Sequence, residues 1–335
     1  MRRYRLHLAA ISALAAVGGS ATAQEGATTP ASGPAAAQEA ASAPATPPAA
    51  QEAASAPATP PAAQEPATAP APAATPAPTP PTAEERERLL AASRRGLQIF
   101  EIARAGMLTT QDMLSRIPDP AAAGIVGWVA TPEGEGLGVV YYADGPEGPV
   151  AVYRGQVVGG RLISRDVYSG SERPALTATH RRMAAARAAA AAVERQPCAG
   201  AFNVIVIPPA SAESAIEVYK LSPQTQRGRV PAGGHFLATV APDGTVSSTT
   251  DLAGRCTDLV TGEAIPAAGT SGPARPLTIN HMLGPLPTEI HVFLSLMTNR
   301  PLIVGTAEPS RQWSIARGRI GLVGAVRVPP PGPGR

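Results

Sequence analysis

Hydrophobic and polar positions change their period several times along this chain, and each change marks an element. Residues 201–252 carry the densest signal. Phe202 to Ile207 is an unbroken apolar run stopped by Pro208 and Pro209, the pattern of a short strand buried on both faces. Ile216, Val218 and Leu221 resume the pattern after a polar gap. Residues 236–240 and 245–250 then flank Pro242-Asp243-Gly244, and Asp-Gly suits the positive backbone angles of a tight hairpin turn.

Upstream, residues 82–104 read as a helix, with Thr82 as N-cap, Glu84 and Glu85 in the first turn, and Leu89, Leu90, Leu97 and Ile102 towards one side. Gly96 weakens it. Residues 112–117 suggest a short second helix ending before Pro118. From Ile125 the period becomes that of strands, at 125–130, 137–143, 149–158 and 161–168, separated by short Gly-rich and Pro-rich turns. Such connections are too short for parallel crossovers, so the four strands are expected as an antiparallel meander.

Residues 176–194 give the clearest helix, preceded by Pro174, rich in alanine and carrying Leu176, Met183 and Val193. Residues 262–276 read as a surface loop. Residues 290–297 are ambiguous between strand and helix; Val292, Phe293, Leu294 and Leu296 suit a buried strand. Residues 302–305 and 313–323, the latter turning at Arg317-Gly318, supply the last strands. The fold class expected is α+β: a mainly antiparallel sheet of about eight to ten strands, meander plus hairpins, with one long helix (176–194) packed on it and an N-terminal helix.

Composition divides the chain before any of these elements begins. Residues 1–23 hold Arg2, Arg3 and Arg5, an apolar run from Leu8 to Val17, then Ala21-Thr22-Ala23, the three-part pattern of a secretory signal peptide. The apolar run is shorter than the ~20 residues that span a bilayer. Residues 24–82 contain only Ala, Pro, Thr, Ser, Gly, Gln and Glu, and Gln38 to Ala50 recurs letter for letter as Gln51 to Ala63. A repeat of this composition has no apolar face to bury against its neighbours, so a disordered, low-complexity linker is expected. As a polyproline helix it would reach on the order of 180 Å, and as a flexible coil ~45 Å. A single globular domain is expected over 83–328, and a disordered tail over 329–335. The mature chain is expected in the periplasm or secreted, with no membrane span.

Charge narrows the partners. The whole chain is +3; without the three signal arginines and the four linker glutamates, the remainder is +4. Lys220 is the single lysine, and no basic run alternates with aromatics, so nucleic acid is not expected as a partner. Cys198 and Cys256 are the only cysteines. An even count in an exported chain favours a disulfide. Metal ligation by cysteine usually needs pairs two to four residues apart, and none exists here.

The chemical motifs are few. Gly134-Glu135-Gly136-Leu137-Gly138 lies between two strands, so it reads as a turn and not a dinucleotide loop. In Gly269-Thr270-Ser271-Gly272-Pro273 a proline stands where a nucleophile elbow closes with glycine. The remaining candidates for a metal site are His235, Asp251, Glu289 and His291, with His281 nearby in sequence and His291 two residues after Glu289. Ser248 and Asp251 echo half of a JAMM-type metalloprotease signature, but Leu237 stands where the second histidine of its His-x-His pair belongs. A Ser-His-Asp hydrolase would draw on His180 or His235. No catalytic residue is assigned, and no cofactor is expected.

Pro223-Gln224-Thr225, Gly228, Pro231 and Gly233-Gly234 ahead of the hairpin, with Pro287-Thr288-Glu289 opening a late strand, resemble a group of exported bacterial proteins of unassigned function. The similarity spans roughly residues 98–320 and rests on turn residues. It implies a single, mainly antiparallel domain and no particular activity. The function expected is therefore a non-enzymatic binding or structural protein of the cell envelope, with an envelope protein or cell-wall component as partner. The alternative is a metal-dependent or serine hydrolase using the His235/His291 region. A hydrolase should gather the four candidates in one cleft, and a binding module should scatter them and expose apolar surface.

Overall fold

A computed structural model describes residues 79–261, 275–307 and 309–324. The expected signal peptide, nearly all of the linker, most of the 262–276 loop and the tail lie outside the described residues. The described fold is α+β with mostly antiparallel sheets, and its described residues fall in one compact unit.

Helix α1 (Ala83–Arg116) opens on a capping box: Thr82 Oγ1 accepts the Glu85 N–H, and Glu85 Oε2 accepts the Thr82 N–H. The two helices expected in this region are one continuous helix. Gly96 does not break it, because it serves the helix crossing. A Cβ there would lie 2.5 Å from Val292 Cβ and 2.6 Å from the Glu289 carbonyl oxygen, so only glycine lets α1 approach that closely.

Strands β1 (Ile125–Glu133), β2 (Gly136–Ala143), β3 (Val150–Val158) and β4 (Arg161–Val167) form an antiparallel meander in that order. Helix α2 (Ala178–Ala192) starts at Thr177, whose side chain accepts the His180 N–H. Strands β5 (Asn203–Val206), β6 (Ile216–Leu221), β8 (His235–Val240) and β9 (Val246–Ala253) make a second antiparallel sheet. At the β8–β9 turn Gly244 has φ +88° and the Asp243 carboxylate accepts the Thr245 N–H at 2.9 Å. Strands β7 (Arg229–Pro231) and β10 (Asp258–Val260) pair as a short antiparallel ribbon.

The C-terminal part departs from the single sheet expected. Strands β11 (Leu277–His281), β12 (Leu302–Thr306), β13 (Arg311–Ala316) and β14 (Arg319–Gly324) form a third four-stranded sheet, and β11 pairs with β12 in parallel. The crossover between them carries helix α3 (Glu289–Met297), although the apolar run at 290–297 suits a buried strand. The helix has no apolar period because Ile290, His291, Val292, Phe293, Leu294 and Ser295 are all buried; it packs on α1 and on the β12–β13 face. Pro287-Thr288-Glu289 therefore opens a helix. The long helix expected at 176–194 is also not the longest, since α1 has 34 residues against 15 for α2.

Two cores result. One joins α1, α3 and the C-terminal sheet to one face of the meander and of β5–β6, through Ile99, Ile102, Tyr153, Tyr219, Ile290 and Trp313. The other lies between α2 and the opposite faces, through Met183, Ala186, Ala190, Val140, Val218 and Ala238. The small alanines of α2 let it lie close on the strands.

Candidate functional site

The four metal candidates go to separate tasks. His235, at the start of β8, is 1% exposed, and both its ring nitrogens are engaged. Nδ1 accepts the Ser222 N–H at 3.2 Å, which places the proton on Nε2, and Nε2–H donates to the Pro231 carbonyl at 3.1 Å. Burial pulls the imidazole down to about 4. Asp251 is exposed on β9, 3.9 Å from Arg195 Nε. Glu289 Oε1 accepts the Tyr219 hydroxyl at 3.1 Å, beside the Arg95–Glu217 ion pair. Among the described residues no group of three His, Cys, Asp or Glu side chains is arranged to hold a metal ion.

The other sequence candidates are also accounted for. Ser248 is exposed on β9, and His180 Nε2 bonds Thr131 Oγ1 at 3.0 Å, with no serine beside it in that bond. Lys220 donates Nζ to the Val193 and Ala190 carbonyls at 2.7 and 3.2 Å, satisfying the C-terminal end of α2. Cys198 and Cys256 are joined by a disulfide with Cα atoms 5.3 Å apart. Gly233-Gly234 fits against it: a Cβ on Gly234 would fall on Cys198 Sγ, and one on Gly233 would fall on the Arg255 carbonyl. Ser222 ties the same corner together, accepting the Cys198 N–H at 3.0 Å and donating to the Gly234 carbonyl at 2.8 Å.

His291 belongs to a different arrangement. It sits in the first turn of α3, where its Nδ1 accepts the Thr288 N–H at 3.0 Å. The proton of the neutral ring is then on Nε2. His281, at the end of β11, packs edge-on against it with ring centroids 4.7 Å apart. The rings are 5% (His281) and 1% (His291) exposed. Burial depresses both imidazoles, His291 to about 3, where His281 adds repulsion.

Both rings line a cleft of about 620 Å³. Its walls are the edge of β11 from Thr278 to His281, and the chain from Ala253 through Leu259 that leads into β10. Met282 and Leu283 stand at its rim, 71% and 52% exposed. Arg255 and Asp258 balance one another in sign, and Asp258 also lies 3.5 Å from Arg229. With neutral imidazoles, the lining carries no net charge. This volume lies in the range of small-molecule sites.

The sequence singled out His281 and His291 but not the surface around them. Two large apolar side chains in succession, Met282-Leu283, ahead of Gly284-Pro285 were the available signal. The pattern made no element of residues 277–283, so nothing marked them as a rim.

Compared with known proteins, the chain matches no family model, no curated protein and no solved structure. Fold and cleft define it coarsely, as a disulfide-linked α+β domain with a ligand-sized cleft. No helix among the described residues is long and apolar enough to cross a membrane.

Proposed function

We propose that this is an exported, non-enzymatic binding protein of the bacterial cell envelope, and that the cleft between β10 and β11 is its recognition site. The observation that carries this reading is the cleft itself: uncharged in sum, rimmed by exposed Met282 and Leu283, and floored by two buried imidazoles. Exposed apolar side chains beside a concave site favour a partner surface. The hydrolase alternative has less support. His235, its central residue, has both nitrogens committed to backbone groups, and Asp251 and Glu289 are held by Arg195 and Tyr219. The signal-peptide pattern of residues 1–23 and the Ala/Pro composition of residues 24–82 support export and a tether between the domain and its site of anchorage.

The test is cosedimentation of the chain, exported from its own signal, with isolated envelope fractions. The expected result is that Met282→Asp/Leu283→Asp, on exposed positions, weakens cosedimentation about tenfold while leaving the circular dichroism unchanged. Equal cosedimentation of the two proteins would remove the cleft from the function. A hydrolytic activity lost with His291→Phe would favour the enzyme.

A further inference from the structure

We infer that the ligand of this cleft is an uncharged, extended peptide segment that lies along the outer edge of β11 and places a carbonyl oxygen on the His291 Nε2–H. The inference rests on the reading of the cleft as the recognition site and names the chemistry of its occupant.

The tautomer of His291 selects the ligand atom. Nδ1 is occupied by the Thr288 N–H at 3.0 Å, with the Thr288 hydroxyl also at 3.0 Å, so Nε2 carries the proton, and the residue lines the cleft. A metal bound at Nε2 would need the proton on Nδ1, facing the Thr288 N–H. An oxygen acceptor needs no such change. Among the described residues His281 makes no hydrogen bond, and its ring packs edge-on against that of His291. A ligand that pairs with these ring nitrogens takes the place of water in the cleft.

Charge then selects the type of acceptor. A carboxylate or phosphate would favour a protonated ring, but each imidazole lies beside the other in a buried wall, where positive charge is disfavoured. The Arg255 and Asp258 side chains offset one another. A neutral carbonyl fits best.

The backbone selects the form. Among the described residues β11 is an end strand of its sheet, paired only with β12, and Thr278, Ile279, Asn280 and His281 line the cleft. Its five residues span about 17 Å at ~3.3 Å per residue, and β10 approaches that edge, so a short peptide adds as a strand where the cleft separates the two. Met282 and Leu283 at the end of that edge would receive an apolar side chain. A sugar chain fits less well, because no Trp, Tyr or Phe lines the cleft for a ring to stack on.

The experiment uses the full chain and a degenerate pool of capped octapeptides built from Ala, Val, Ser, Thr and Gly, read by hydrogen exchange and then by fluorescence polarisation of the best binder. Expected are slowed exchange confined to residues 278–283, and about tenfold weaker binding of that peptide when its backbone is N-methylated at alternate positions. Met282→Asp should weaken it to a similar extent, and His281→Phe, which keeps ring packing, should weaken it less. Three results would each overturn the inference: no protection at 278–283 at millimolar peptide, equal binding of the N-methylated peptide, or protection by glycan fragments or zinc alone. If peptides fail while envelope cosedimentation still depends on Met282 and Leu283, the peptide inference falls and the binding reading stands. If both fail, both fall.

Discussion

Glu85 and Arg311, on the first turn of α1 and the first residue of β13, meet at 2.9 Å with side chains 17% and 8% exposed. Arg311 also lies over the Trp313 ring, 5.8 Å from its centroid. The pair fastens the start of the long helix to the C-terminal sheet across most of the domain's sequence. Removing Arg311 takes the charged partner from Glu85, which keeps only the Thr82 N–H. Arg311→Ala is expected to lower unfolding stability by on the order of 2 kcal/mol. Urea unfolding with tryptophan fluorescence measures this directly, because Trp313 is fully buried against the altered site.

Gly96 makes the opposite of the usual prediction for a glycine inside a helix. Alanine there gains ~1 kcal/mol of helix propensity. Its methyl group would nonetheless collide with Val292 Cβ and the Glu289 carbonyl of α3. Overpacking of this kind typically costs 1–3 kcal/mol, so Gly96→Ala is expected to destabilise by on the order of 1 kcal/mol. A stabilised variant would mean that α1 and α3 cross less closely than described.

The disulfide encloses β5 to β9 in a 58-residue interval. In the chain-entropy account, closing such a loop in the unfolded state is worth about 4 kcal/mol. Cys198→Ser/Cys256→Ser should lose roughly that amount, and the intact mass of the unaltered chain should rise by ~2 Da on reduction. No mass change on reduction would show that the two thiols are not joined in the isolated protein.

Much of the fold was legible where local chemistry decides it. The β8–β9 hairpin follows from Asp243-Gly244, and the meander follows from connections too short for crossovers. The C-terminal part was not, and the reasons are specific. Residues 290–297 are apolar without period because α3 is buried on every side, so strand and helix look alike; its cap at Thr288 and its burial between α1 and the sheet decide for helix. Strand β11 is short, and its partner β12 follows only after α3, a pairing no local pattern announces. The site shows the same limit. His235 and His291 looked equivalent in sequence, and only the hydrogen bonds from Ser222, to Pro231 and from Thr288 separate a fully engaged ring from one whose Nε2–H meets no partner among the described residues.

The buried histidines make stability depend on pH in a definite direction. Burial, the largest cause, lowers His235 to about 4 and His291 to about 3, from 6.5; His281 shifts the same way. The unfolded chain therefore takes up protons that the folded one refuses. Each ring's contribution is fully present above about pH 6.5, is lost as pH falls below it, and levels off only near the folded value. The slope approaches ~1.4 kcal/mol per pH unit per ring, so His235 and His291 together should cost on the order of 4 kcal/mol between pH 7 and 5. Urea midpoints at pH 7.5, 6 and 5 measure the loss. His235→Gln, whose amide still offers one donor and one acceptor, should lower stability at pH 7.5 but make its fall towards pH 5 shallower. An unchanged slope would mean that His235 is already protonated in the folded state or open to water, and the hydrogen bonds assigned to its two nitrogens would be wrong.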